Sequence, residues 1–169
     1  VDDQALLIRS ADAYEKANIE TRIGVQVVGL DAAQKAIELA DGSRLGYSHL
    51  ILATGSRPRH LPILDSERPL TNLHYLRTFA QAQQMREQML EGKRLVIIGG
   101  GYIGLEVAAT ALKRGLKVSL IESMDRILAR VTAPDVSSFY QQVHLAEGAK
   151  LHLNAQLDRL NLDTKGERV

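Results

Sequence analysis

The stretch that decides the fold is residues 95–123, LVIIGGGYIGLEVAATALKRGLKVSLIES. An apolar run meets a cluster of glycines, and an alanine-rich segment with helical periodicity follows. A second apolar run then ends in Glu122. This order predicts a strand, a tight turn, a helix and a second strand parallel to the first. The stretch therefore predicts an α/β fold built on a parallel sheet.

The glycines of the turn have separate predicted roles. Gly99 permits the sharp turn, Gly101 lets backbone N–H groups approach a pyrophosphate, and Gly104 lets the helix pack closely on the strand. Glu122 stands at the tip of the second strand, where a carboxylate can accept hydrogen bonds from a ribose diol. Strand, helix and acid have the spacing of a dinucleotide site. The acid favours NAD over NADP, because a 2′-phosphate would meet a like charge.

Three alternatives stay open from these residues alone. The glycine-rich turn is either a cofactor site or a turn packed for structural reasons. Arg126 and Arg130 follow the acid, and each either contacts phosphate or adenine or is solvated. Glu106 lies near the start of the helix, where it either complements the helix dipole or points at the ligand.

The composition limits the other classes of function. The 169 residues are 45% hydrophobic and 24% charged, with a net charge of +1, which gives no reason to expect nucleic acid or a membrane as partner. The absence of cysteine excludes a disulfide, an iron–sulfur cluster or a thiolate zinc site within the chain. No apolar run approaches the roughly 18 residues that span a bilayer. The five histidines show no ligand spacing, so no metal site is expected.

The segment before the glycine turn predicts several smaller elements. Ser10 begins a short helix, and residues 22–47 predict an antiparallel meander with a strand over 22–30 and a hairpin at Asp41-Gly42. Residues 50–55, LILATG, predict a strand buried on both faces. Thr78 and Gln81 have the spacing of a capping box at the start of a second helix, whose methionines are expected to pack in the core.

The segment after Glu122 continues the α/β pattern. A capping signature over 132–135 predicts a helix that ends near Gly148, and residues 150–153 predict a third strand. The end of the chain, 156–169, predicts another meander, and residues 144–169 loosely repeat the order of elements in residues 14–37. The predicted fold class is therefore α/β, a Rossmann-like three-layer fold with inserted antiparallel β-meanders, incomplete at both ends.

With these motifs in place, the sequence resembles the FAD-dependent pyridine nucleotide-disulfide oxidoreductases. LILATGSRPR at 50–59 and LVIIGGGYIGLEVAATA at 95–111 carry the resemblance. YLRTFAQAQ at 75–83 and RVTAPDVSSFY at 130–140 are similar to the subgroup that reduces ferredoxins, rubredoxin and putidaredoxin. The resemblance implies hydride transfer from NADH to flavin N5, followed by single-electron delivery to a small iron–sulfur protein.

The resemblance also implies site residues, which are those matching the family's two nucleotide motifs. The cofactor-binding residues are Gly99, Gly101, Tyr102, Ile103, Gly104 and Glu122 at NAD or the nicotinamide side of the flavin, and Ala53, Thr54 and Gly55 near FAD. Glu106 is the candidate catalytic residue, on the nicotinamide side of the flavin. The implied cofactors are FAD and NAD, the implied partner is a ferredoxin or rubredoxin, and the implied location is cytoplasmic.

The resemblance further implies an internal part of a longer protein. The family has an N-terminal FAD glycine motif, a second FAD segment and a C-terminal interface domain, and these 169 residues contain none of them. Residues 1–70 are then expected to be the C-terminal part of the first FAD-binding segment. Residues 71–169 are expected to be the NAD-binding domain without its last strands, and the chain alone is expected to be inactive.

Two other functions remain as alternatives to the NADH-dependent ferredoxin or rubredoxin reductase. One is a non-catalytic NAD-binding module. The other is a relative of the NADH oxidases and peroxidases, with a catalytic cysteine outside this chain. The sequence leaves the oligomeric state open.

Overall fold

The computed structural model describes residues 7–61, 70–162, 165 and 168. The chain divides into two compact units, Val1–Gly55 and Ser56–Val169. The helices are α1 (Ala11–Lys16), α2 (Phe79–Gln88), α3 (Tyr102–Lys113) and α4 (Pro134–Ala146). The strands are β1 (Val27–Asp31), β2 (Ala36–Leu39), β3 (Arg44–Gly46), β4 (Arg94–Ile98), β5 (Lys117–Ile121) and β6 (Lys150–His152). Within the described ranges, no helix is long and apolar enough to cross a membrane.

The first unit contains α1 and an antiparallel meander in the order β1-β2-β3. Ser10 is the N-cap residue of α1, as predicted, although its side chain makes no capping hydrogen bond. The predicted Asp-Gly hairpin is confirmed between β2 and β3. There Gly42 has a φ of +82°, and the Asp41 carboxylate accepts hydrogen bonds from the Ser43 N–H at 2.9 Å and the Ser43 hydroxyl at 2.6 Å. The local turn chemistry therefore sets the register of the meander.

The structure confirms one strand prediction in this unit only in part and contradicts another. The strand predicted over 22–30 begins only at Val27, and Ile23 is 92% exposed. Residues 50–55 form no strand, and Ile51 is 88% exposed. A strand needs a neighbour for its N–H and C=O groups, and among residues 7–55 the paired strands are those of the antiparallel meander. An apolar run therefore did not suffice to make a strand here.

The second unit is organised on a parallel sheet in the order β4-β5-β6. The strands pair in register from Arg94 with Lys117 to Ile98 with Ile121, and α3 and α4 make the two crossovers. The core lies between α3 and the sheet, where Ala111 and Leu120 are fully buried. Small alanine side chains let α3 approach the strands closely. The order β4, α3, β5 and the parallel pairing of the two strands confirm the strand-turn-helix-strand prediction.

Helix α2 precedes this sheet and begins with the predicted capping box. The Thr78 hydroxyl accepts from the Gln81 N–H at 3.3 Å, and the Gln81 side chain accepts from the Thr78 N–H at 2.9 Å. Met89 is buried, and Met85 packs against the same core cluster. The prediction that these methionines are core residues is therefore confirmed.

The second half of the sheet departs from prediction in two places. The N-cap position of α4 is Ala133, which makes no side-chain capping hydrogen bond, and the Thr132 hydroxyl instead donates to the Leu128 carbonyl at 3.4 Å. Pro134 opens the helix as predicted. Residues 153–162 form no strand, so the final meander is wrong over that part. The rest of that prediction falls mainly on residues 163, 164, 166, 167 and 169, outside the described ranges.

Candidate functional site

The glycine turn, residues 99–101, joins β4 to α3. Gly99 has a φ of +105°, which residues with a side chain rarely adopt, and its N–H donates to the Ile121 carbonyl at 2.8 Å. Helix α3 starts directly afterwards with Gly101 as its N-cap residue, which has no side chain to cap the helix. The first N–H groups of α3 are therefore arranged to meet an anion.

Gly104 and Gly101 are glycines for different reasons. A Cβ on Gly104 would lie 2.2 Å from the Gly99 carbonyl oxygen and 3.3 Å from Ile97 Cγ2. This is the close helix-to-strand approach expected from the sequence. A Cβ on Gly101 would meet no atom within 4 Å. Protein packing does not require glycine at this position, and the space in front of its backbone is open to a ligand.

Gly100, to which sequence reasoning gave no role of its own, is held on both sides. Its N–H donates to Glu122 Oε2 at 2.7 Å, and its carbonyl accepts from the Leu128 N–H at 2.9 Å. A Cβ here would lie 2.9 Å from Ile127 Cγ2 and 3.2 Å from the Glu122 carboxylate. The only sequence signal was its place in the middle of three consecutive glycines. The contacts come from a loop more than 20 positions later in the chain.

The Glu122 carboxylate is the polar centre of the site. Besides Gly100, it accepts from the Met124 N–H at 2.9 Å and the Ser123 hydroxyl at 3.2 Å. Burial by itself raises the pKa of this carboxyl, but the N–H groups of Met124 and Gly100 and the Ser123 hydroxyl outweigh it and lower the pKa from its ordinary value. Glu122 is therefore ionised at neutral pH. A carboxylate has about four acceptor positions, so room for another donor remains.

The glycine turn, Glu122 and the loop that follows line a cleft of about 340 Å³. We call residues 122–133 the β5–α4 loop. Its residues 122–124 and 128–131 form one wall, and the glycine turn forms the other. This volume is in the range of small-molecule sites. The cleft therefore brings the N-terminus of α3 and the Glu122 carboxylate to the same space.

The two arginines left open by the sequence have different positions. Arg126 donates to the carbonyls of Thr132 and Ala129, both at 3.0 Å, and to the Ser137 hydroxyl at 2.7 Å. Arg130 is exposed and lines the cleft. Arg126 is thus engaged with the protein itself, and Arg130 is the arginine placed to meet a ligand.

The remaining candidate residues lie on α3 and in the first unit. Tyr102 is 50% exposed and Ile103 is 59% exposed. The Glu106 side chain is exposed and makes no hydrogen bond within the described part of the chain. Residues 53–55 belong to the other unit, where they are exposed and outside any strand. The structure therefore brings together the NAD-motif residues, and it leaves the predicted FAD-contacting residues in a separate unit.

The described ranges contain no group of three or more His, Cys, Asp or Glu side chains that is arranged to hold a metal ion.

Comparison with known proteins gives consistent matches along the chain. A family model described as pyridine nucleotide-disulphide oxidoreductase matches residues 3–169. Putidaredoxin reductase CamA from Pseudomonas putida is 41% identical over 167 residues, which are 98% of this chain and 40% of the relative. This chain therefore spans well under half the length of that relative.

Solved structures match in the same way. A crystal structure of the covalent putidaredoxin reductase–putidaredoxin complex superposes with a TM-score of 0.90 at 40% identity, over 99% of this chain and 40% of that one. The water-forming NADH oxidase from Lactobacillus brevis, bound to NADH, superposes with a TM-score of 0.78 at 26% identity, over 98% and 37%. These superpositions confirm the predicted Rossmann-like α/β fold class.

Proposed function

Because the chain belongs to the pyridine nucleotide-disulphide oxidoreductase family, we propose that it forms the NADH-binding part of a flavoprotein reductase. This enzyme passes electrons from NADH through FAD to a ferredoxin- or rubredoxin-type iron–sulfur protein. The observation that carries the proposal is the glycine turn, bonded at 2.7 Å to Glu122 beside the open N-terminus of α3. The match to a reductase bound to putidaredoxin supports an iron–sulfur acceptor.

The NADH diphosphate is proposed to lie at the glycine turn. There the N–H groups of Gly101 and the first turn of α3 donate to it, and the helix dipole favours its charge. Gly99 and Gly104 shape the turn. The remaining acceptor capacity of Glu122 takes a ribose hydroxyl. Because Glu122 is ionised, the 2′-phosphate of NADPH would be repelled, so the site prefers NADH.

The nicotinamide end is proposed to lie along α3 beside Tyr102 and Ile103, with Glu106 as the catalytic residue. The exposed Glu106 carboxylate, without a hydrogen-bond partner in the described ranges, is available to orient the reacting groups. FAD exchanges electrons singly as well as in pairs, which a hydride donor and a one-electron acceptor require. Ala53, Thr54 and Gly55 are proposed to contact FAD. Gly55 has a φ of +72°, a backbone conformation that glycine adopts without strain.

Titration of the purified chain with NADH and NADPH tests the nucleotide site. We expect saturable binding, followed by the fluorescence of the reduced nicotinamide, with NADH bound at least about tenfold more tightly than NADPH, a difference of about 1.4 kcal/mol. Absence of saturable NADH binding would overturn the proposed site. Tighter binding of NADPH would overturn the role of Glu122.

Stopped-flow reduction tests the catalytic role in the flavoprotein that carries this chain. We expect Glu106→Gln to slow flavin reduction by NADH and to leave the NADH dissociation constant within about twofold, as for a residue that acts only in the chemical step. Equal slowing with every reductant, dithionite included, would contradict this role.

We also propose a cytoplasmic location, where NADH is supplied. Fractionation of cells that produce the protein tests this.

An NADH oxidase is the second candidate, because the oxidase bound to NADH shares the fold at 26% identity. The reductase passes electrons to an added iron–sulfur protein and consumes little oxygen without it. The oxidase consumes oxygen in proportion to NADH. An oxygen electrode, with and without ferredoxin, distinguishes the two functions.

A further inference from the structure

Arg126 connects the β5–α4 loop to the start of α4. Its Nη1 group donates to the Thr132 carbonyl at 3.0 Å and to the Ser137 hydroxyl at 2.7 Å, and its Nη2 group donates to the Ala129 carbonyl at 3.0 Å. Ser137 is completely buried. Hydrogen bonds from a charged donor are stronger than those between neutral groups. Arg126 therefore fixes residues 129–132 against the body of the second unit.

The residue next to this fixed segment has an unfavourable backbone. Leu128 has a φ of +55°, although it is not a glycine, and its side chain is only 2% exposed. Such a conformation persists only where several surrounding contacts hold it. The Leu128 carbonyl accepts from the N–H groups of Val131 at 3.0 Å and Thr132 at 3.1 Å. The segment that Arg126 fixes is thus the segment that holds Leu128.

The strained backbone of Leu128 serves the glycine turn. In this conformation its N–H reaches the Gly100 carbonyl at 2.9 Å, while Glu122 takes the Gly100 N–H at 2.7 Å. Gly100 is therefore held at both of its polar groups. One of these two contacts depends on a loop whose far end is fastened by Arg126.

We infer that Arg126 is a positioning residue for dinucleotide binding. It does not touch the ligand. By fastening residues 129–132, it keeps the Leu128 N–H on Gly100 and keeps the glycine turn in its binding geometry. This inference rests on the proposed NADH site.

The competing explanation is direct contact of Arg126 with a phosphate. The two explanations differ in how NADH binding depends on the positive charge at position 126. A direct contact would be restored by lysine and would add to the salt dependence of binding. A positioning contact needs the planar fork of donors, which lysine lacks, and it also weakens when an uncharged acceptor such as Ser137 is removed.

Arg114 offers a matched control for the loss of an arginine. It donates to the carbonyls of Met89 at 3.1 Å and Arg86 at 3.4 Å, so it too fastens a backbone segment. It follows the C-terminal end of α3, whereas the glycine turn precedes the N-terminal end. Arg114→Ala therefore removes similar bonds at a distance from the cleft.

The experiment measures two quantities in the parent chain and four variants: NADH affinity at two salt concentrations, and amide hydrogen exchange at Leu128. We expect Arg126→Ala to weaken NADH binding about tenfold, and Ser137→Ala about threefold, with the salt dependence unchanged, which corresponds to the loss of roughly one hydrogen bond. Arg126→Lys should remain weak. Arg114→Ala should bind within about twofold of the parent, because its loss affects stability alone.

Amide exchange decides the inference independently of the ligand. Exchange at Leu128 should be faster in Arg126→Ala than in Arg114→Ala at the same temperature. Unchanged exchange at Leu128 overturns the inference, as does NADH binding by Arg126→Ala within about twofold of the parent, a change too small for a lost hydrogen bond. Recovery of the NADH affinity in Arg126→Lys, together with a reduced salt dependence of NADH binding in Arg126→Ala, would also overturn the inference. A parent chain that binds no NADH would instead overturn the proposed function, and the exchange data would still decide what Arg126 holds.

Discussion

Replacing Glu122 by glutamine tests the site at the carboxylate that accepts hydrogen bonds from Gly100, Ser123 and Met124. The two carboxylate oxygens accept from different backbone donors, Oε2 from Gly100 and Oε1 from Met124. Glutamine has the same shape but only one oxygen. In either orientation of the amide, its NH₂ group must face one of the two N–H donors. Glu122→Gln therefore loses one hydrogen bond outright and weakens the others.

The expected cost follows from these contacts. A hydrogen bond to a charged group contributes about 1.5–3 kcal/mol, and a neutral acceptor contributes about 1 kcal/mol. Since the Glu122 side chain is only half-buried, we expect a loss of about 2 kcal/mol in the free energy of unfolding. For a chain of this size, this corresponds to a decrease in Tm of about 4–8 °C.

The difference between parent and variant should depend on pH. The folded state lowers the pKa of Glu122 below its ordinary value of 4.5. The carboxylate therefore contributes its full stability above that value, and this contribution is lost as the pH falls through the folded-state pKa. The Tm of the parent should exceed that of Glu122→Gln fully at pH 7, and the two should converge as the pH falls through the lowered folded-state pKa of Glu122.

Thermal unfolding followed by circular dichroism, between pH 7 and pH 3, measures this difference. Asp125→Asn is the control, because Asp125 lies in the same loop, is exposed and makes no hydrogen bond in the described ranges. It should change the Tm by less than about 2 °C, as for an exposed substitution. A Glu122→Gln variant as stable as the parent at pH 7, or a difference that does not vary with pH, would refute the reasoning.

Three further substitutions and one control substitution test the fold of the second unit by urea unfolding and NADH titration. Gly104→Val should lower the free energy of unfolding by about 3 kcal/mol and abolish saturable NADH binding, because its Cβ would lie 2.2 Å from the Gly99 carbonyl oxygen. Thr78→Ala should cost about 1 kcal/mol through loss of the α2 cap and leave NADH affinity unchanged; an unchanged urea midpoint would contradict this. Leu120→Ala should cost about 2–5 kcal/mol, because the side chain is fully buried. Val96→Ala on the same sheet, at 58% exposure, should cost less than about 1 kcal/mol, and equal costs would contradict the assignment of the core.

The elements that sequence reasoning predicted correctly are those with local signals. The capping box at Thr78, the Asp41-Gly42 hairpin and the glycine turn each depend on residues within a few positions of one another. The errors fall on segments whose structure depends on distant partners. LILATG at 50–55 is apolar enough for a buried strand, yet it forms none in this structure. A strand exists only beside another strand, and composition does not supply one.

The sequence by itself determined that residues 95–123 form a strand, a glycine turn, a helix and a parallel strand ending in an acid. Positive φ and close backbone approach are requirements that single glycine residues satisfy, and helical periodicity is visible in the spacing of neighbouring apolar residues. Only the tertiary structure decided the bonding of the site. Glu122 joins Gly100 across 22 positions, Leu128 holds the other side of the same glycine, and Arg126 turns to the loop and not to the cleft. These contacts depend on the path by which the β5–α4 loop returns to the turn, and packing of the whole unit sets that path.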